Sequence, residues 1–103
     1  MAHVEFGPRV EKDLRAARAA GELDRLKAAI AGLAAEELGQ GLDIVPLIGA
    51  SPWRRMRAGN WRILLRPLTE EEMRRLHRTG RGYLIARVVN RRDLERAVQS
   101  LGA

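Results

Sequence analysis

Trp53-Arg-Arg-Met-Arg-Ala-Gly-Asn-Trp-Arg-Ile63 decides the fold, because basic and apolar side chains alternate through it on both sides of a turn. Alternation sets Arg55 and Arg57 on one side of a first strand. On a second strand Arg62 and Arg66 share one side, and Ile63 and Leu65 take the other. Ala58-Gly59-Asn60 supplies the turn, since Gly and Asn tolerate the positive φ that tight hairpins need. The result is a β-hairpin that lines up guanidinium groups on one face, and the planar guanidinium fork matches phosphate oxygens bidentately.

Working back toward the N-terminus, the period changes from that of a strand to that of a helix. Leu42 to Pro52 carries too many turn residues for a helix and reads as a connecting segment. Before it, Glu22 to Leu38 has an apolar stripe of Leu23, Leu26, Ile30 and Leu33, closed by Gly39-Gln40-Gly41. Gly21 separates this helix from an earlier one, opened by Gly7-Pro8 with proline at its first position and marked by Val10, Leu14 and Ala17. Val4 to Phe6 is a short first strand. The two helices make a helical hairpin.

Beyond the β-hairpin, the charged stretch from Thr69 to Gly82 holds one or two helical turns, and its Glu70-Glu71-Glu72 run reads as a solvated helix start. Tyr83 to Val89 is a strand, with Leu84, Ala86 and Val88 on one face and Tyr83, Ile85, Arg87 and Val89 on the other. Asn90 ends it. Asp93 to Leu101 is a short terminal helix with Leu94, Ala97, Val98 and Leu101 as its apolar positions, and Asp93 and Glu95 suit its first turn. The expected class is therefore α+β: an N-terminal helical hairpin packed on a largely antiparallel sheet of about four strands, with a short C-terminal helix. The helices cover one sheet face and leave the arginines on the other.

The chain of 103 residues fits a single domain spanning 1–103, too short for a separate cofactor domain. It has no cysteine, which removes disulfides, zinc-thiolate sites and thiol nucleophiles, and its two histidines, His3 and His77, make no metal motif. No cofactor and no metal are expected. No apolar run approaches a membrane span and the N-terminus has no signal pattern, so a cytoplasmic protein with no membrane partner is expected. The net charge of +6 is unevenly spread: residues 1–50 carry 6 basic and 8 acidic side chains, residues 51–103 carry 13 and 5. All 13 of those later cations are arginines. Such a half points to nucleic acid, or to an acidic protein segment that mimics it.

With this element order, the second half resembles the RelE/ParE superfamily of bacterial toxins from type II toxin–antitoxin pairs. The resemblance rests on Pro46-Leu-Ile-Gly49, Arg55-Met-Arg57, Asn60-Trp-Arg-Ile-Leu-Leu65 and Ala86-Arg-Val-Val-Asn-Arg-Arg-Asp93. It spans the chain in layout and is specific over about residues 46–98. It implies a RelE-like mRNA interferase, an endoribonuclease that cuts mRNA at the ribosome and inhibits translation, with a cognate antitoxin, the ribosome and mRNA as partners. The alternatives it leaves open are a ParE-like inhibitor of DNA gyrase and a non-catalytic RNA-binding module of the same fold.

In the RelE reaction the ribose 2′-hydroxyl attacks the adjacent phosphate, which needs charge stabilisation, a base and an acid. By resemblance, Arg55, Arg62 and Arg92 clamp the scissile phosphate. Arg57 and Arg91 hold flanking phosphates, and Arg54, Arg66 and Arg87 extend the RNA-binding set. Trp53 shares parity with Arg55 and Arg57 and can stack on a base, whereas Trp61 belongs with the core. Many RNA-cutting members carry a tyrosine where this chain has Val98. The remaining acid or base candidates are His77, whose side-chain type titrates near neutral pH, and Tyr83, which alternation sets on the arginine face.

Overall fold

The computed structural model describes residues 1–35, 43–50 and 52–101. The hairpin forms where alternation sets it, with β3 (Arg54–Ala58) antiparallel to β4 (Trp61–Pro67). Gly59 turns between them with φ of 60°. Met56, Trp61, Ile63 and Leu65 are buried on one face. On that face lie α1 (Val10–Ala19) and α2 (Leu23–Ala34), which contribute Val10, Ala17, Leu26 and Leu33 to the same core. Helix α1 begins at Val10, with Pro8 in the turn before it, so the expected proline start moves in by two residues. The part of the expected second helix beyond Ala35 and the Gly39-Gln40-Gly41 break lie outside the described residues.

The sheet has five strands in the order β1-β5-β4-β3-β2, one more than expected. The addition is β2 (Asp43–Pro46), found inside the segment read as connection, and it pairs antiparallel with β3. Ile44 is its inward residue, packed on the helix-side core. Turn-forming residues on both sides hid a strand this short. At the other edge β1 (His3–Phe6) runs parallel to β5 (Gly82–Asn90), so the sheet is antiparallel apart from that pair.

β5 corrects one expectation. Its register with β4 passes from Leu64↔Arg87 to Leu65↔Ile85, which leaves Ala86 as an extra residue. A bulge of one residue reverses alternation, so Tyr83, Ile85 and Val88 face the helices while Val89 packs on the opposite side. Tyr83 is therefore buried in the helix-side core and does not share the arginine face. Arg87 keeps the arginine-face parity, now grouped with Leu84 and Val89.

After β4, α3 (Glu70–Arg75) supplies the short helix expected in the charged stretch. Its start is a full capping box: the Glu72 backbone N–H donates to Thr69 Oγ1 at 3.1 Å and the Thr69 N–H donates to Glu72 Oε1 at 2.9 Å. The chain closes through a 3-10 turn (Arg91–Asp93) into α4 (Leu94–Gln99). Helix α4 packs Leu94, Ala97, Val98 and Leu101 over Leu64 and Val89, covering the β4–β5 half of the face opposite α1 and α2. The β3–β4 arginines stay uncovered by it.

Candidate nucleic-acid interface

Register brings Arg55, Arg57 and Arg62 together on the face opposite α1 and α2, because Arg57 pairs with Arg62 and Arg55 with Leu64. Arg91 joins them through the backbone: its N–H donates to Asn60 O at 2.8 Å, which ties the 3-10 turn to the hairpin tip. Arg62 lies at the centre and is only 8% exposed. Its Nη1 donates to Gly59 O and to Trp61 O, each at 2.9 Å, so the hairpin backbone fixes the guanidinium's direction. Burial and the neighbouring charges of Arg57, Arg55 and Arg91 all lower the Arg62 pKa, partly offset by Asp43. An arginine remains charged under such pressure. Stacked positive charge of this kind favours an incoming anion.

Among the described residues, one carboxylate stands among these cations. Asp43 on β2 faces Arg57 across the strand pair, with Oδ2 at 3.4 Å from Arg57 Nε and 3.7 Å from Arg55 Nη1. Arg55 Nη1 is buried and donates to no acceptor among the described residues. Asp43 was invisible as a site residue in the sequence because the strand that carries it was.

The other expected cations divide by their partners. Arg66 shares the face but is held in place: Nη1 and Nη2 donate to the two Glu72 oxygens at 2.7 and 2.9 Å, and the guanidinium lies 5.6 Å above the Trp53 ring. The hydrogen bond to Arg66 comes first among the causes that bring the Glu72 pKa down to about 2. Trp53 thus stands on the arginine side, and with Arg66, Val98 and Gln99 it lines a groove of about 1020 Å³ between the β2–β3 loop and α4. Arg87 is spent on structure, its Nε and Nη2 donating to the Asp13 carboxylate at 2.9 and 3.1 Å. Arg54 pairs with Leu65, on the parity opposite to Arg55, and is exposed. Arg92 lines a different groove, between α1 and α4, with Arg9 and Arg96. The cluster is centred on Arg55, Arg57, Arg62 and Arg91.

Neither acid nor base named from the sequence lies there. His77 follows α3 and Tyr83 pairs with Pro67, both at the far end of β4 from Arg62. Strand rise puts that end roughly 17 Å from Arg62. Val98, at the position of the missing tyrosine, is an apolar contact of α4.

No family model and no curated protein matches the sequence. Solved structures do. The chain matched in the E. coli DinJ–YafQ toxin–antitoxin complex has a TM-score of 0.67 at 17% identity, covering 90% of this chain and 96% of that one. The RelB–RelE antitoxin–toxin complex from Methanococcus jannaschii gives a TM-score of 0.60 at 22% identity, with 90% and 96% covered. The archaeal RelE–RelB complex from Pyrococcus horikoshii gives 0.60 at 18% identity over 87% and 94%. The chain has the RelE-like α+β fold. The resemblance read from its motifs holds at the level of that fold across almost its whole length.

Proposed function

We propose that this protein is the toxin of a type II toxin–antitoxin pair and acts as a RelE-like endoribonuclease on mRNA at the ribosome. The observation that carries the reading is the convergence of Arg55, Arg57, Arg62 and Arg91 on an open sheet face, in a fold matched by chains from toxin–antitoxin complexes. Four arginines carried by a hairpin and a 3-10 turn, with the Arg62 guanidinium held by backbone carbonyls, stabilise a pentacoordinate phosphorane as charge develops on its oxygens. Arg62 supplies the central donor. Arg55 lies beside it, and Arg57 and Arg91 hold the flanking phosphates. The groove beside Trp53 receives a neighbouring nucleotide. The partners on this reading are the ribosome with its message and a cognate antitoxin, and the compartment is the cytoplasm.

Induced expression with mapping of mRNA 5′ ends tests the reading. Cuts phased with codons in the wild type, lost in Arg62→Ala, support the nuclease. The ParE-like reading is favoured by the distance of His77 and Tyr83 from the arginines, since binding gyrase needs no proton transfer. Growth arrest with gyrase-linked DNA breaks and uncut messages would replace the nuclease reading with that one.

A further inference from the structure

We propose that Asp43 is the general base of the reaction, taking the proton from the attacking 2′-hydroxyl; this rests on the nuclease reading above. An RNA-cleaving site must hold a proton acceptor within reach of the phosphate it activates. His77 and Tyr83 stand at the far end of β4, and Tyr83 is buried on the opposite face. Among the described residues, the carboxylate that faces the arginine cluster is Asp43. The charged groups facing it are Arg55 and Arg57 of β3 and, beyond them, Arg62 of β4.

Its geometry suits the task. At 3.4 and 3.7 Å the contacts to Arg57 and Arg55 are ion pairs longer than hydrogen bonds, so the carboxylate oxygens keep their lone pairs unspent. Its side chain is 42% exposed, open to an incoming ribose. Arg55 Nη1, 3.7 Å from Asp43 Oδ2, is buried and has no hydrogen-bond acceptor among the described residues. Base and phosphate-binding donors thus lie side by side on neighbouring strands. In the step itself the 2′-hydroxyl proton passes to an Asp43 oxygen while the 2′-oxygen bonds to phosphorus. The bond from phosphorus to the 5′-oxygen breaks with its electron pair, and that oxygen takes a proton from water. The resulting hydroxide recovers the proton from Asp43, leaving a 2′,3′-cyclic phosphate and a 5′-hydroxyl.

The test is single-turnover cleavage on ribosomes stalled on a defined message, comparing wild type with Asp43→Asn. Binding is measured separately on the same message carrying a 2′-deoxynucleotide at the mapped cut. The expected result is a rate at least about 100-fold lower in the variant, with binding equal or tighter because a negative charge has left the cluster. A variant that cuts like wild type overturns the assignment and leaves the nuclease reading standing. So does a parallel loss of binding and cleavage, which marks a structural counter-ion. If Asp43→Asn fails to fold, Asp43→Ser is measured in its place, and cleavage at the wild-type rate overturns the proposal. A wild type that cuts nothing overturns the nuclease reading and this assignment with it.

Discussion

At the residue scale, the same side-chain type serves three ends on one sheet face. Arg62 is aimed by the hairpin backbone, Arg66 is locked to Glu72 over Trp53, and Arg87 is locked to Asp13. Partners, rather than residue type, separate the cations available to a ligand from those that build the protein. Parity made Arg55, Arg57 and Arg62 legible in the sequence, because a hairpin of regular strands obeys a period of two. Tyr83 was misread because a single extra residue at Ala86 reverses that period, and nothing in Ala86 announces a bulge. The Arg66–Glu72 pair carries a pH prediction. Glu72 has its carboxyl pKa lowered from 4.5 to about 2 in the folded protein, so the pair's stabilisation is complete above pH 4.5 and is lost as pH falls toward 2. Thermal melts across that window should fall more steeply for wild type than for Glu72→Gln, and parallel curves would remove the pair from the account.

At the element scale, β5 shows how an edge is managed. Strand β1 pairs only with Gly82 to Ile85, and beyond Ile85 the open edge is met by α1: the Val88 N–H donates to Asp13 Oδ2 at 2.9 Å. Asp13 thus serves three donors from one carboxylate, and its side chain is 11% exposed. Replacing it with Ala strands a half-buried guanidinium and an edge N–H together. We expect a loss of about 3 kcal/mol in chemical denaturation, where a loss below about 1 kcal/mol would show that water replaces the carboxylate. The helix–hairpin–helix frame was readable from periodicity, and the terminal helix from its Leu94, Ala97, Val98 and Leu101 stripe. Strand β2 was not readable, since it is four residues long and flanked by turn formers. Asp43 was lost with it, so the sequence showed the arginines of the face and concealed the carboxylate that stands beside them.

At the scale of the whole molecule, the sheet separates two tasks. One face carries α1, α2 and the main core; the other carries α4 over β4 and β5 and leaves the β3–β4 arginines uncovered by it. The excess of arginine in the second half of the chain is therefore shared among several places, and Arg55, Arg57, Arg62 and Arg91 are the part gathered on this face. Binding to single-stranded RNA should weaken as salt rises, with Arg57→Ala reducing the slope of log affinity against log salt by about 0.7, the share of one phosphate contact. An unchanged slope would move Arg57, which is 54% exposed, off the RNA path. The central claim is that the arginine face cuts messages, and a reconstituted translation system tests it most directly. Purified protein added to ribosomes stalled on a labelled message should cleave it in the A site, with Arg62→Ala slowed by about 100-fold or more. An intact message with wild-type protein, or equal cutting by the variant, would contradict the account.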